Sequence, residues 1–263
     1  MPYLSSFGIE TARTNPFPFN ISAVKFAKNI SMPTPVTFLI GDNGTGKSTL
    51  LESLAYRLQL PHMNGASYRK SGFEAAKALI PYLKLEWAIE RSVGFFFRAE
   101  DFGDLINSVD RQDAKIHETL NDLVGDVPDK VIKQMKESAN FQLHHMRKNY
   151  GQDLQSFSHG EAYLKIMQDK MDKRGIFLLD EPEAALSPAK QLSLIYFIQQ
   201  HLQTNISQFI IATHSPMLMA FPGATIYEVT TTGMEKVALE DTEHYSITKS
   251  FLNNPEAYLR FLK

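Results

Sequence analysis

One short segment constrains the fold of this chain more than any other. Residues 41–48 read Gly-Asp-Asn-Gly-Thr-Gly-Lys-Ser and match the pattern GxxxxGK[ST]. A β-branched and apolar run at residues 36–40 precedes the segment, and apolar residues at helical spacing follow it to about Leu60. A strand, a glycine-rich loop and a helix in this order predict a phosphate-binding loop in an α/β fold. The alternative is a glycine-rich turn without a ligand.

The residue types in this loop suit phosphate chemistry. Glycines let the backbone curl so that successive N–H groups point at phosphate oxygens. The helix that starts near Gly46 would direct its positive end at the same anion. Lys47 would reach the β- and γ-phosphates, and the Ser48 hydroxyl would bind Mg²⁺. The predicted nucleotide-binding residues of the loop are Gly41, Asp42, Asn43, Gly44, Thr45, Gly46, Lys47, Ser48 and Thr49.

A second apolar run ends in two acidic residues. Residues 176–179 predict a buried strand, and Asp180 and Glu181 follow it directly. In a phosphate-loop protein, Asp180 would hold Mg²⁺, usually through water. Glu181 would act as general base or orient the water that attacks the γ-phosphate. Taken alone, the two acids could equally be solvated side chains at the end of a strand.

The rest of the chain predicts strands that alternate with helices. This alternation favours a mainly parallel sheet with helices covering it. Further strands are expected at residues 209–212 and 225–229, and a helix is expected to open at Ser187 and Pro188.

We expect one domain over residues 1–263. Residues 61–155 interrupt the alternation and are predicted to form a mostly helical insertion. Two short strands are expected within it, at 84–89 and 93–97. Residues 230–263 are expected to form a C-terminal tail.

Composition narrows the classes of function. Lys and Arg total 27 and Asp and Glu total 29, so the net charge of −2 gives no overall attraction to nucleic acid or anionic membrane. The absence of cysteine excludes disulfides, thiolate catalysis and cysteine-based zinc sites. No apolar run exceeds five residues, so we expect no membrane segment and a cytoplasmic location.

The order of the remaining motifs resembles the ATP-binding-cassette (ABC) ATPases. Residues 158–161 read Ser-His-Gly-Glu, residues 180–188 carry Asp-Glu-Pro-Glu and Ala-Leu-Ser-Pro, and residues 213–215 read Thr-His-Ser. After the phosphate loop, called Walker A, this is the order of signature, Walker B, D-loop and H-loop. The pattern looks most like the soluble branch with repair and SMC-type ATPases. It resembles more closely a family of small bacterial proteins described as ABC-type or AAA-family ATPases, which the tail residues 242–245 also match.

The resemblance implies a P-loop NTPase of ABC-ATPase type. It implies a mainly parallel central sheet, an antiparallel N-terminal β part and a helical insertion. It also implies ATP and Mg²⁺ as ligands and an ATP-dependent head-to-tail homodimer, in which Ser158 and Gly160 of one protomer meet the nucleotide of the other. His214 would contact the γ-phosphate or the attacking water. The implied catalytic residues are Lys47, Glu181 and His214, and the implied metal ligands are Ser48 and Asp180.

Several residues leave their roles open at this stage. The common signature has glycine at the position of His159, and no Q-loop glutamine is evident, although Arg98 or Glu100 could act there. Ser158 and Glu161 also fit a helix capping box. His214 could be a locally bonded histidine at the end of a strand.

Three functions fit these expectations. The first is an ATPase whose nucleotide state is coupled to an unknown protein partner or to DNA. The second is the nucleotide-binding subunit of a membrane transporter. The third is an ATP-gated switch with slow hydrolysis, acting in DNA maintenance or phage defence.

Overall fold

The structure is a computed structural model. The described residues are 2–11, 16–62, 73–89, 93–101, 159–204 and 206–260. Much of the insertion expected over residues 61–155 lies outside the described residues, and so does the signature residue Ser158.

The described residues form two sheets with helices around them. The strands are β1 (Leu4–Ile9), β2 (Ile30–Ser31), β3 (Val36–Gly41), β4 (Leu83–Trp87), β5 (Gly94–Arg98), β6 (Ile176–Asp180), β7 (Gln208–Ala212), β8 (Thr225–Val229) and β9 (Met234–Val237). The helices are α1 (Ser22–Phe26), α2 (Lys47–Leu58), α3 (Glu74–Leu79), α4 (His159–Lys170), α5 (Pro188–Thr204), α6 (Pro216–Met219), α7 (Glu243–Asn253) and α8 (Pro255–Leu259). Short 3₁₀ turns cover Ile80–Tyr82, Pro182–Ala185 and Leu239–Asp241. No helix among the described residues is long and apolar enough to cross a membrane.

The six-stranded central sheet has the order β5-β6-β7-β3-β8-β9. Its first five strands run parallel, and β9 pairs antiparallel with β8. Strands β3, β6 and β7 are buried along their whole length, as expected for a parallel sheet covered on both faces. The mainly parallel α/β fold predicted from the sequence is therefore confirmed. The carboxyl ends of β3, β5, β6 and β7 meet at one edge of the sheet, because parallel strands end on the same side.

A second, three-stranded sheet has the order β2-β1-β4 and is antiparallel throughout. This confirms the expected antiparallel N-terminal part. The Gln208 side chain joins the two sheets, because its Oε1 accepts from the Leu4 N–H (2.8 Å) and its Nε2 donates to the Leu4 carbonyl (2.9 Å). Both β4 and β5 fall within residues 61–155, close to the two short strands expected there. The mostly helical insertion over residues 61–155 stays a prediction.

Two apolar cores lie on the two faces of the central sheet. Leu39 and Ile210 face the core that also contains α1 and α2. Phe38 and Ile211 face the opposite core, which contains α4 and α5. Neighbouring residues of a strand thus face opposite cores, which is the two-residue period of a β-strand. A shift by one residue would exchange the two faces, so this pattern of burial fixes the register of the strands.

Candidate functional site

The loop between β3 and α2 adopts a backbone that depends on glycine. Gly41, Gly44 and Gly46 have φ values of 135°, 81° and 93°, a region that L side chains rarely occupy. A Cβ on Gly41 would lie 2.2 Å from the Val229 carbonyl oxygen of β8, whereas one on Gly44 would meet nothing within 4 Å. The loop therefore passes close to β8 only at its first residue.

Hydrogen bonds within the loop hold it folded over its lysine. The Thr45 hydroxyl donates to the Asp42 carbonyl at 2.8 Å, and the Ala23 N–H of α1 donates to the Thr45 carbonyl at 2.8 Å. Lys47 is 5% exposed, and its Nζ donates to the carbonyls of Gly41 (2.7 Å) and Asp42 (3.0 Å). Burial lowers the pKa of Lys47, and nearby carboxylates partly oppose this. The loop thus folds over a buried lysine, in a shape that suits an anion.

The first residues of α2 meet the end of β6. The Ser48 hydroxyl donates to Oδ1 of Asp180 at 3.1 Å, although 132 residues separate them in the chain. Burial raises the pKa of Asp180 to about 6, against the hydrogen bond from Ser48 and the charge of Arg98, which lower it. A buried carboxylate beside a hydroxyl suits a hard cation such as Mg²⁺. Among the described residues, no group of three or more His, Cys, Asp or Glu side chains is placed to hold a metal ion.

Glu181 follows Asp180 in an unusual conformation. Its φ of 49° and ψ of 50° are left-handed, and its N–H donates to the Ala212 carbonyl at 2.9 Å. A non-glycine residue in this region costs about 1–3 kcal/mol and is typical of functional sites. Glu181 borders a cavity of about 340 Å³. The cavity is lined by Ser48, Arg98, Ala99, Glu100, Asp180, Glu181, Ala184 and Ala185.

His214 lies just beyond β7, next to Glu181. Its Nε2 is 3.6 Å from Oε1 of Glu181, and its backbone N–H donates to Oε1 of Glu183 at 2.6 Å. Burial, and then the charge of Lys47, lower the pKa of His214 below its usual value. His214 is therefore mainly neutral at neutral pH and can offer one N–H to an acceptor.

Gly160 is the described part of the predicted signature. It lies in the first turn of α4, where a Cβ would approach the Ala185 carbonyl to 3.3 Å. Nearby, the Nζ of Lys190 is 3.0 Å from Oε1 of Glu161. Gly160 does not line the cavity described above. One chain thus brings together the loop, Asp180, Glu181 and His214, but not Gly160.

One acidic residue near the site, Glu52, belongs to none of the sequence motifs. Glu52 lies one turn after Ser48 on α2, and its Oε1 accepts from Arg98 at 2.8 Å. Burial raises the pKa of Glu52 to about 7, although Arg98 opposes the shift. Arg98 also pairs with Glu100 and stands opposite Asp180 in the β5–β6 register. The sequence indicates Glu52 only through its spacing, because a residue four positions after Ser48 lies on the same face of a helix.

Two further residues, Glu183 and His244, contact His214. Glu183 holds its backbone, as described above. His244, from the first turn of α7, places its Nε2 at 3.2 Å from Nδ1 of His214.

The aromatic residue Phe19 is buried, and its ring packs edge-on against that of Tyr82 with the ring centres 5.4 Å apart, so it belongs to the core.

The sequence matches one family model. The family is described as "AAA domain, putative AbiEii toxin, Type IV TA system", and the match covers residues 76–220, more than half of the chain. No curated protein matches the sequence.

Solved structures with a similar fold include two at low sequence identity. The SMC head domain from Thermotoga maritima is 13% identical, with 90% of this chain and 99% of that chain covered and a TM-score of 0.48. The protein cbiO1 from Clostridium perfringens, part of the ABC transporter complex cbiONQ, is 16% identical, with 98% of each chain covered and a TM-score of 0.47. At these identities the likeness concerns the fold alone.

Proposed function

The chain belongs to the AAA-domain family whose model it matches, and on this premise we propose that it hydrolyses ATP to ADP and phosphate. The reaction would take place at the carboxyl edge of the central sheet, with Mg²⁺ bound. The family and the fold make the chain a nucleotide-binding ATPase module; turnover, the metal and the dimer described below are the proposal.

The observation that carries this proposal is the contact between Ser48 and Asp180. A phosphate loop occurs in binding proteins and kinases as well as in ATPases, so the loop alone does not define a reaction. The 3.1 Å contact places the loop serine beside the acid at the end of β6. Glu181 follows Asp180 directly in the chain, and we infer that its carboxylate would reach a water at the γ-phosphate.

The residues divide the work of hydrolysis between them. Lys47 and the N–H groups of the loop bind and orient the β- and γ-phosphates of the substrate. Ser48 and Asp180 would hold Mg²⁺, which when bound would neutralise part of the charge on those phosphates. The Glu181 carboxylate accepts a proton from water as the water oxygen bonds to the γ-phosphorus. The bond from that phosphorus to the β–γ bridging oxygen breaks, and ADP leaves with the bridging oxygen.

We extend the proposal to a head-to-tail dimer. Gly160 packs against Ala185 of its own chain and lies outside the cavity that contains Asp180 and Glu181. A second copy would supply the start of its α4, whose positive helix end favours an anion, to complete the site. The dimer would close with ATP and open after hydrolysis, and this cycle would act on a protein partner or DNA.

Phosphate release and equilibrium ATP binding test the activity. We expect Lys47→Ala to lose ATP binding by at least about 100-fold, because the buried cation is lost. Glu181→Gln should bind ATP as the wild type does but lose turnover by about 10³-fold. Lys84→Ala, at an exposed lysine of β4, is the matched control and should behave as the wild type. Equal turnover in Glu181→Gln and wild type would refute the catalytic assignment.

Mass photometry of Glu181→Gln tests the dimer. With saturating Mg²⁺ and ATP we expect a shift from monomer to dimer, which ADP does not cause. The matched variant Glu235→Gln, at an exposed position of β9, should hydrolyse ATP and show only a transient dimer. A Glu181→Gln protein that stays monomeric at saturating ATP would contradict the composite site.

The family description favours a second candidate function. It names a putative toxin of a type IV toxin–antitoxin system, and the second candidate for this chain is an ATP-gated switch that acts on a partner. In that case, turnover would stay near background while binding of a partner protein depended on ATP. A wild-type rate well above background without any partner would exclude this candidate.

A further inference from the structure

His244 is the residue of the C-terminal segment that reaches the candidate site. Its Nε2 lies 3.2 Å from Nδ1 of His214, and the two rings are 5.4 Å apart at an interplanar angle of 46°. His214 Nε2 and His244 Nδ1 are buried atoms without a hydrogen bond. The contact therefore joins the two rings through one nitrogen of each.

The protein fixes His244 from both sides. The Thr242 hydroxyl accepts from the Tyr245 N–H at 3.3 Å and donates to the Leu239 carbonyl at 2.7 Å, which caps the start of α7. Helix α7 also packs against α6, which starts two residues after His214. The position of His244 relative to His214 is thus set by the fold.

One contact of His214 favours one of its two neutral forms. Its Nε2 lies 3.6 Å from a carboxylate oxygen of Glu181, which is too far for a hydrogen bond in this state, but a carboxylate can only accept, so the contact favours a proton on Nε2. A neutral imidazole carries one proton, so a proton on Nε2 leaves Nδ1 as an acceptor. The Nε2 of His244 must then be the donor in the contact between the rings.

We propose that His244 is a positioning residue that holds His214 in its Nε2–H form by donating a hydrogen bond to Nδ1. His214 then presents its single N–H toward Glu181 and the γ-phosphate. Without this donor, the proton of His214 could move to Nδ1, and the nitrogen facing the reacting groups would become an acceptor. Helix α7 would in this way complete the catalytic arrangement from the C-terminal end of the chain.

The expected effect on turnover rests on the proposed ATPase function, whereas the expected position of the proton on His214 does not. Two substitutions of His244 separate the effect of its hydrogen bond from the effect of its packing. His244→Phe keeps an aromatic ring and removes both nitrogens. His244→Gln keeps an amide nitrogen the same number of bonds from Cβ as Nε2 of histidine, so it can still donate.

The first measurement is ¹⁵N–¹H NMR of histidine-labelled protein without nucleotide. In the wild type and in His244→Gln we expect His214 to carry its proton on Nε2. In His244→Phe we expect a mixture of both neutral forms. His201, whose Nε2 lies 2.8 Å from the Ser207 hydroxyl, is the internal reference and should not change. An unchanged His214 spectrum in His244→Phe would overturn the proposal, whether or not the protein hydrolyses ATP.

The second measurement is steady-state turnover with a separate ATP-binding titration. We expect His244→Phe to lower kcat by about 10-fold, as for other partners that orient a catalytic histidine, with ATP affinity changed by less than about twofold. His244→Gln should retain kcat within about threefold. If the phenylalanine variant equals or exceeds the glutamine variant in kcat, His244 acts by packing and the proposal fails. If wild type shows no turnover while the NMR result holds, the ATPase proposal fails and the assignment of the histidine pair remains.

Discussion

Glu52 offers a quantitative test of the electrostatics around the site. Its side chain is 10% exposed, and its partner Arg98 is 19% exposed. Burial raises the pKa of Glu52 from 4.5 to about 7, and Arg98 only partly opposes this rise. Replacing Glu52 with Gln keeps the shape and the acceptor for Arg98 but removes the titration.

The sign and size of the effect follow from the two pKa values. The folded state retains a proton on Glu52 that the unfolded chain loses above about pH 4.5, so stability falls as pH rises toward about 7. A shift of this size corresponds to roughly 3 kcal/mol when complete. Between about pH 5 and pH 7, the stability of wild type should therefore fall by roughly 2 kcal/mol relative to Glu52→Gln.

Urea denaturation of both proteins across this pH range measures the difference. Glu100→Gln is the control, because Glu100 also pairs with Arg98 but its side chain is 82% exposed. The difference between this control and wild type should stay nearly constant with pH. The reasoning would be refuted if the difference in free energy of unfolding between wild type and Glu52→Gln did not change with pH. It would also be refuted if wild type became more stable relative to Glu52→Gln as pH rises.

Three further predictions concern the loop, the metal and the core. Gly41→Ala should lower the free energy of unfolding by about 3 kcal/mol or more, because its Cβ would lie 2.2 Å from Val229. Gly44→Ala, also at positive φ but with free space, should cost only about 1 kcal/mol, and thermal denaturation compares the two; equal losses would contradict the close approach. Mg²⁺ should increase the affinity for ATP, and Asp180→Asn should make this increase about tenfold smaller, as measured by calorimetry. An unchanged increase would show that Asp180 is not a ligand of the metal. Tyr163→Phe should cost about 1–2 kcal/mol in urea denaturation, because the buried hydroxyl donates to a carbonyl after β6 at 2.8 Å, and a neutral effect would contradict that bond.

The fold could be predicted where the signal is local. The parallel strands appear in the sequence as continuous apolar runs, because both faces of the central sheet are covered. The loop motif fixes a strand before it and a helix after it, so Ser48 could be placed from spacing alone. Asp180 could be placed beside it because parallel strands end at the same edge.

The remaining features depend on contacts that leave no local pattern. Helix α7 buries none of its residues completely, so no buried apolar stripe reveals it. The contact of His244 with His214 spans 30 residues and involves two ring nitrogens, and the spacing of two histidines does not encode it. Glu52 belongs to no motif, and its raised pKa arises from burial that only the packed structure shows.

The rate of ATP hydrolysis per protomer, measured against protein concentration, tests the central claim most directly. For wild type, the account predicts a rate that rises with concentration and then saturates, because each site needs a second copy of the chain. For Glu181→Gln it predicts a rate near background at every concentration. A Glu181→Gln rate equal to that of wild type would contradict the account of the site, and a wild-type rate independent of concentration would contradict the composite dimer.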